Sequence, residues 1–154
     1  MQSLFHFNIA NVSRYYSHLN TAVSIIKNYD GKEPLANYLK KIFSSNKKYG
    51  SKDRKNISHL CYCYFRLGKA APSRPFPAGK EVEEKIIIGL FLCSSVPNVL
   101  LQNLKPEWNE KAGLCIEEKH SMLNAQCAML NIFPWKDELS DGIEYDFFCK
   151  SFLI

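Results

Sequence analysis

The chain has 154 residues, of which 46% are hydrophobic and 13% aromatic, and it carries a formal net charge of +5. This length suits one domain, or one domain with part of a linker, and the composition excludes a largely disordered chain. No apolar run approaches the roughly 20 residues that span a bilayer, and no basic segment followed by an apolar signal core opens the sequence. We therefore expect a cytoplasmic protein with no membrane partner.

The charge is divided unevenly along the sequence. Residues 1–80 contain 14 Lys and Arg against 3 Asp and Glu, a net charge of +11. Residues 81–154 contain 6 against 12, a net charge of −6. A concentration of basic residues attracts polyanions, but the two halves of the chain could equally pair with each other.

Apolar residues recur every three or four positions through the first half of the chain, which predicts amphipathic helices. We expect a first helix over about residues 11–29 and a second from Glu33-Pro34 to about residue 45. A third helix should begin at Ser51, which is placed to cap it, with Asp53 in the first turn where a carboxylate complements the helix dipole.

The second half of the chain follows a proline-rich segment, residues 70–79, which we expect to be a loop. The pattern then predicts a fourth helix from Glu81 as the most buried one, and shorter helices around residues 96–103, 108–112 and 120–131. The predicted fold class is therefore all-α.

Basic residues form the most specific pattern in the chain. The third helix carries a stripe of six residues at intervals of 3, 4, 3, 4 and 3: Lys52, Lys55, His59, Tyr62, Arg66 and Lys69. Four lysines precede it and could widen the surface: Lys40, Lys41, Lys47 and Lys48. Cations interspersed with a histidine and a tyrosine suit phosphate contact and base stacking, as in RNA recognition. The alternative is an ordinary solvated helix face.

Signals for catalysis or metal binding are missing. The chain has no dinucleotide-binding, P-loop, zinc-protease or serine-hydrolase motif, and its histidines have no ligand spacing. The six cysteines have no C-x-x-C spacing, so we interpret them as buried thiols: Cys61, Cys63, Cys93, Cys115, Cys127 and Cys149. We expect no active site, cofactor or metal in this chain. Asp53-Arg54 could equally be structural, with Arg54 pairing with a carboxylate elsewhere in the chain.

Residues 47–55 and 60–66 resemble the N-terminal domain of the Sun (Fmu) family of RNA cytosine-C5 methyltransferases, a domain that is similar to the antitermination factor NusB. Asp53-Arg54, Tyr62 and Arg66 match the pattern of that family, whereas Cys63 replaces a glycine and Leu67 replaces a frequent tryptophan. The resemblance implies a NusB-like helical bundle over residues 1–145 that binds ribosomal or transfer RNA.

The same resemblance implies a larger parent protein. Residues 146–154 look like the start of a linker to a catalytic methyltransferase domain, which would use S-adenosylmethionine. The cofactor loop of that domain and its Pro-Cys and Thr-Cys motifs are absent from this sequence, so the implied role here is non-catalytic.

Two other hypotheses remain open. One is a free-standing NusB-like factor that binds RNA together with a protein partner through its acidic half. The other is a helical protein-interaction bundle without an RNA role, in which Glu81, Glu83 and Glu84 lie against the basic stripe and neutralise it.

Overall fold

A computed structural model describes the backbone of residues 2–67 and 79–129 and the side chains of residues 12–67 and 79–123. Within these ranges the chain forms helices and no strand, which confirms the all-α fold class. The helices are α1 (Gln2–Asn28), α2 (Leu35–Ser45), α3 (Ser51–Leu67), α4 (Glu81–Cys93), α5 (Val99–Leu104), α6 (Pro106–Asn109) and α7 (Ile116–Met129). None of them combines the length and apolarity that crossing a bilayer requires.

The helix ends differ from the predicted ones in several places. Helix α1 begins at Gln2 rather than near residue 11, because residues 2–10 contain no Pro or Gly that would stop a helix. Helix α6 begins at Pro106, as suits a residue without a backbone N–H donor. Residues 70–78 of the predicted loop and the predicted linker over residues 146–154 lie outside the described residues.

The chain divides into two compact units, Met1–Tyr62 and Cys63–Ile154, and the boundary falls within α3. Helices α1, α2 and α3 each contribute buried apolar side chains to the first unit. These include Leu19, Ala22, Leu39, Phe43, Ile57 and Leu60. Burying a side chain of the size of Leu stabilises a fold by about 1.5–3 kcal/mol, so these apolar faces account for the formation of the first unit.

One carboxylate joins α1 to the start of α3 in the first unit. Asp53 Oδ1 accepts hydrogen bonds from Arg14 Nη2 at 2.6 Å and from His18 Nε2 at 3.0 Å. His18 is buried, and a carboxylate can only accept, so the Nε2 atom of this ring carries the proton. The Arg14 guanidinium stabilises the charged form of Asp53 and lowers the pKa of that carboxyl below its usual value.

The second oxygen of Asp53 caps α3. Asp53 Oδ2 accepts a hydrogen bond from the backbone N–H of Gly50 at 3.2 Å, and the Arg54 N–H donates to the Gly50 carbonyl at 3.0 Å. Gly50 is therefore the capping residue, and the prediction that Ser51 caps the helix is wrong because Ser51 already lies within it. Arg54 is structural, but its Nε donates to the Tyr49 carbonyl at 2.9 Å rather than to a carboxylate.

Helix α4 is the buried centre of the second unit. Its residues 86–92 are all buried, as the sequence pattern predicts. Gly89 lies directly against the last turns of α3: a Cβ atom added there would lie 2.8 Å from the carbonyl carbon of Cys63 and closer still to its oxygen. The two helices thus approach each other backbone to backbone, which only a glycine permits.

Helix α7 is tied to the C-terminal end of α4 by a buried lysine. Lys119 is 2% exposed, and its ammonium group donates to the carbonyl oxygens of Phe91, at 3.0 Å, and Ser94. It also lies 5.0 Å from the centroid of the Phe91 ring. Carbonyl groups at the end of a helix lack partners within the helix, and a cation is the favoured group there.

The prediction that the cysteines are buried holds for some of them. Cys61 and Cys63 are buried and Cys93 is half-buried, but Cys115 is exposed. Cys115 lies in the turn before α7, where its backbone N–H donates to Glu118, so it belongs to no apolar face. Burial raises the pKa of the Cys61 thiol to about 12. The side chains of Cys127 and Cys149 lie outside the described residues.

We expect Asp53→Asn to lower the free energy of unfolding by about 1–2 kcal/mol at neutral pH, because the carboxamide is uncharged and has one acceptor oxygen where the carboxylate used two to bind Arg14, His18 and the Gly50 amide. The pKa of Asp53 is lowered from 3.8 in the fold, so its contribution is complete above that pH and is lost as pH falls through the folded value. Urea unfolding followed by circular dichroism should therefore show the two proteins converging in acid. The control is Asp30→Asn, whose carboxylate pairs with the exposed Lys32; an equal loss there would contradict a special role for Asp53.

A second test concerns the contact between α3 and α4. We expect Gly89→Ala to destabilise the protein by about 1–3 kcal/mol, although alanine is the better helix former, because the added methyl group meets backbone atoms that cannot move aside locally. Gly113→Ala is the matched control, since a Cβ atom there lies 3.8 Å from the nearest atom, the Ser95 carbonyl oxygen. Thermal unfolding midpoints compare the two variants, and an unchanged midpoint for Gly89→Ala would contradict the close approach.

Candidate nucleic-acid interface

The first unit is strongly basic, and its few carboxylates are already paired. It contains 10 Lys and Arg against 3 Asp and Glu, a net charge of +7. Asp53 is held by Arg14, Asp30 by Lys32 at 2.9 Å and Glu33 by Lys41 at 2.8 Å. Lys32 lowers the pKa of the Asp30 carboxyl by its hydrogen bond. The remaining cations of this unit therefore have no carboxylate of their own unit left to neutralise them.

Five of the predicted RNA-binding lysines remain exposed without an ion pair to any of the described carboxylates. They are Lys40, Lys47, Lys48, Lys52 and Lys55. Three of them, Lys47, Lys48 and Lys52, lie within six consecutive residues, in the turn that joins α2 to α3 and in the first turn of α3. We call Lys47, Lys48, Lys52 and Lys55 the lysine cluster. Lys41 is also exposed, but its pairing with Glu33 partly neutralises it.

The stripe of residues predicted along α3 is exposed to solvent at its N-terminal end. Lys52 and Lys55 are exposed and lie on a different side of the helix from the buried Ile57 and Leu60. Three further stripe residues, His59, Tyr62 and Arg66, are half-buried, and each interacts with another group of the folded chain. Arg66 belongs to the second unit, and Lys69 lies outside the described residues.

A groove of the first unit, which the sequence analysis did not identify, adjoins the lysine cluster. It has a volume of about 770 Å³ and is formed by one side of α1, by α2 and by the turn after α2. We call it the α1–α2 groove. Its α1 wall is a row of small polar residues at intervals of four, three, four and four: Ser13, Ser17, Asn20, Ser24 and Asn28. The sequence could have indicated the groove through this row of polar residues, but the row lies outside the apolar stripe that identified the helix.

Three tyrosines complete the walls of the α1–α2 groove. Tyr16 comes from α1, Tyr38 from α2 and Tyr49 from the turn before α3. The Lys48 ammonium lies 5.0 Å from the centroid of the Tyr49 ring, which places one member of the lysine cluster beside the groove. The first unit thus presents cations next to a recess with aromatic rings and hydrogen-bonding groups.

No group of His, Cys, Asp and Glu side chains among the described residues is arranged to hold a metal ion. The lysine cluster can bind anions by charge and hydrogen bonding. The α1–α2 groove can bind an uncharged polar or aromatic ligand.

The chain matches no protein-family model, no curated protein and no solved structure. The candidates for function are accordingly the two surfaces of the first unit, the lysine cluster and the α1–α2 groove.

Proposed function

We propose that this chain is a non-catalytic RNA-binding module that docks the phosphate backbone of RNA on the lysine cluster. The observation that supports the proposal most directly is the set of exposed lysines that no described carboxylate neutralises, in a unit whose three acids all pair with other cations. Phosphate contacts by lysine are charge interactions that depend on exposure rather than on a particular fold.

The proposal includes the role implied by the resemblance to the Sun (Fmu) methyltransferases. In that role the chain is the NusB-like N-terminal domain of a cytoplasmic RNA cytosine-C5 methyltransferase. It delivers ribosomal or transfer RNA to a catalytic domain that uses S-adenosylmethionine. Support for this part comes from Asp53-Arg54, Tyr62 and Arg66, the residues that match the family pattern.

The distribution of acids in the second unit supports an RNA surface confined to the first. Exposed glutamates occur at the beginning of α4, around α6 and at the beginning of α7: Glu81, Glu107, Glu110, Glu117 and Glu118. Carboxylate and phosphate groups are both negatively charged and repel each other. The second unit is therefore the poorer candidate for RNA contact and the better one for a protein partner.

We expect the variant Lys48→Gln, Lys52→Gln, Lys55→Gln to bind a labelled RNA hairpin about tenfold more weakly than the wild-type chain. The slope of log affinity against log salt should also become less steep by about two to three, since three phosphate contacts are lost. Fluorescence anisotropy at several salt concentrations measures both quantities. These lysines are exposed, so the fold should persist, and circular dichroism checks this.

The matched control removes the same charge elsewhere, in the variant Lys27→Gln, Lys80→Gln, Lys111→Gln, whose three lysines are also exposed. It should retain nearly wild-type affinity. Equal losses in the two variants would mean that RNA responds only to net charge, and the lysine cluster would not be a docking site. Absence of binding by the wild type at low salt would overturn the proposed function and favour a protein-interaction bundle.

A further inference from the structure

The α1–α2 groove is uncharged although it belongs to a unit with a net charge of +7. None of the residues that line it is Lys, Arg, Asp or Glu. A recess that binds a phosphate or a carboxylate would be expected to contain a cation. The α1–α2 groove therefore suits the uncharged part of a ligand. The charged part of that ligand would lie outside the groove, toward the lysine cluster.

The α1 wall offers hydrogen-bonding groups that the protein itself does not use. Asn20 lies in the middle of the row and is exposed. Its side chain makes no hydrogen bond with any group of the chain, and the same is true of the neighbouring Ser17 and Ser24 hydroxyls, within the described residues. A carboxamide offers two donors and an acceptor side by side, which is the pattern that the edge of a nucleobase complements.

The tyrosines supply flat surfaces in a fixed arrangement. Tyr16 is 40% exposed and stands beside Asn20 on α1. Tyr38 and Tyr49 each pack against another ring: Tyr38 against Tyr29 with ring centroids 5.1 Å apart, and Tyr49 against Phe43 with ring centroids 6.0 Å apart. Aromatic faces in such a recess are the usual platforms for unstacked bases.

We infer that the α1–α2 groove binds one or more unpaired bases of single-stranded RNA, with the adjoining phosphates on Lys48 and the rest of the lysine cluster. This inference rests on the proposed RNA-binding function and specifies its ligand. Bases within a duplex are stacked on one another and paired, so their faces and pairing edges are unavailable to the groove, and duplex RNA reaches only the lysines. The volume of about 770 Å³ is within the range of small-ligand sites, roughly 300–1,000 Å³.

The test compares an unstructured single-stranded RNA with a duplex of the same length, at one salt concentration, by fluorescence anisotropy. Two variants probe the groove, Tyr16→Ala for stacking and Asn20→Ala for hydrogen bonding. We expect each to weaken single-strand binding about tenfold and to leave duplex binding unchanged, because loss of one stacked base or one base-edge contact has about that effect.

Two matched controls separate these effects from changes in folding. Tyr16→Phe retains the ring and should retain single-strand affinity. Asn37→Ala removes an exposed asparagine of α2 that does not line the groove and should change nothing. Circular dichroism checks that each variant folds, and if Tyr16→Ala does not, the exposed Asn20 still provides the test.

The outcomes distinguish this inference from the function on which it rests. Unchanged single-strand binding by both groove variants, with a loss in the lysine variant, would overturn the base-binding site and leave RNA docking intact. Equal weakening of single-strand and duplex binding by the groove variants would also overturn it. Failure of the wild type to bind either RNA would overturn the proposed function itself.

Discussion

The carboxylate of Asp53 determines where the basic surface of the first unit begins. One oxygen holds Arg14 and His18 of α1, and the other accepts the Gly50 amide at the first turn of α3. Lys52 lies in that same turn and Lys55 follows directly, so this side chain contributes, together with the apolar core, to their position relative to α1. Asp53 is also the carboxylate nearest to Lys52 and Lys55 in sequence. Because it pairs with Arg14, it does not neutralise these two lysines.

Helix α1 shows how one amphipathic helix can serve two purposes. Its apolar side buries Leu19 and Ala22 in the core of the first unit, whereas another side carries the serines and asparagines of the α1–α2 groove. None of the residues in this row is charged, although charged residues are the usual choice for solvated helix faces. Small uncharged groups leave room for a ligand and make hydrogen bonds without selecting for its charge, and Lys48 at the margin of the groove adds the affinity for anions.

The second unit is held together by contacts of a different kind. The backbone of α4 at Gly89 meets that of α3 at Cys63, and the buried Lys119 of α7 binds carbonyl groups at the end of α4. A buried ammonium group is costly unless its hydrogen bonds are satisfied, so Lys119 is a structural cation and unavailable to phosphate. The exposed acidic residues of this unit agree with the proposal that RNA docks on the first unit.

The sequence by itself determined the fold class and the existence of the helices, because helical periodicity is a local property that neighbouring residues carry. It even indicated that α4 would be buried. The match to a NusB-like domain and the RNA role remain predictions. Only the tertiary structure decided the partners of Asp53, which lie 35 and 39 residues away, and the α1–α2 groove, which exists because side chains of separate segments meet. Local patterns specify which face of a helix is apolar, whereas long-range packing specifies what each face meets.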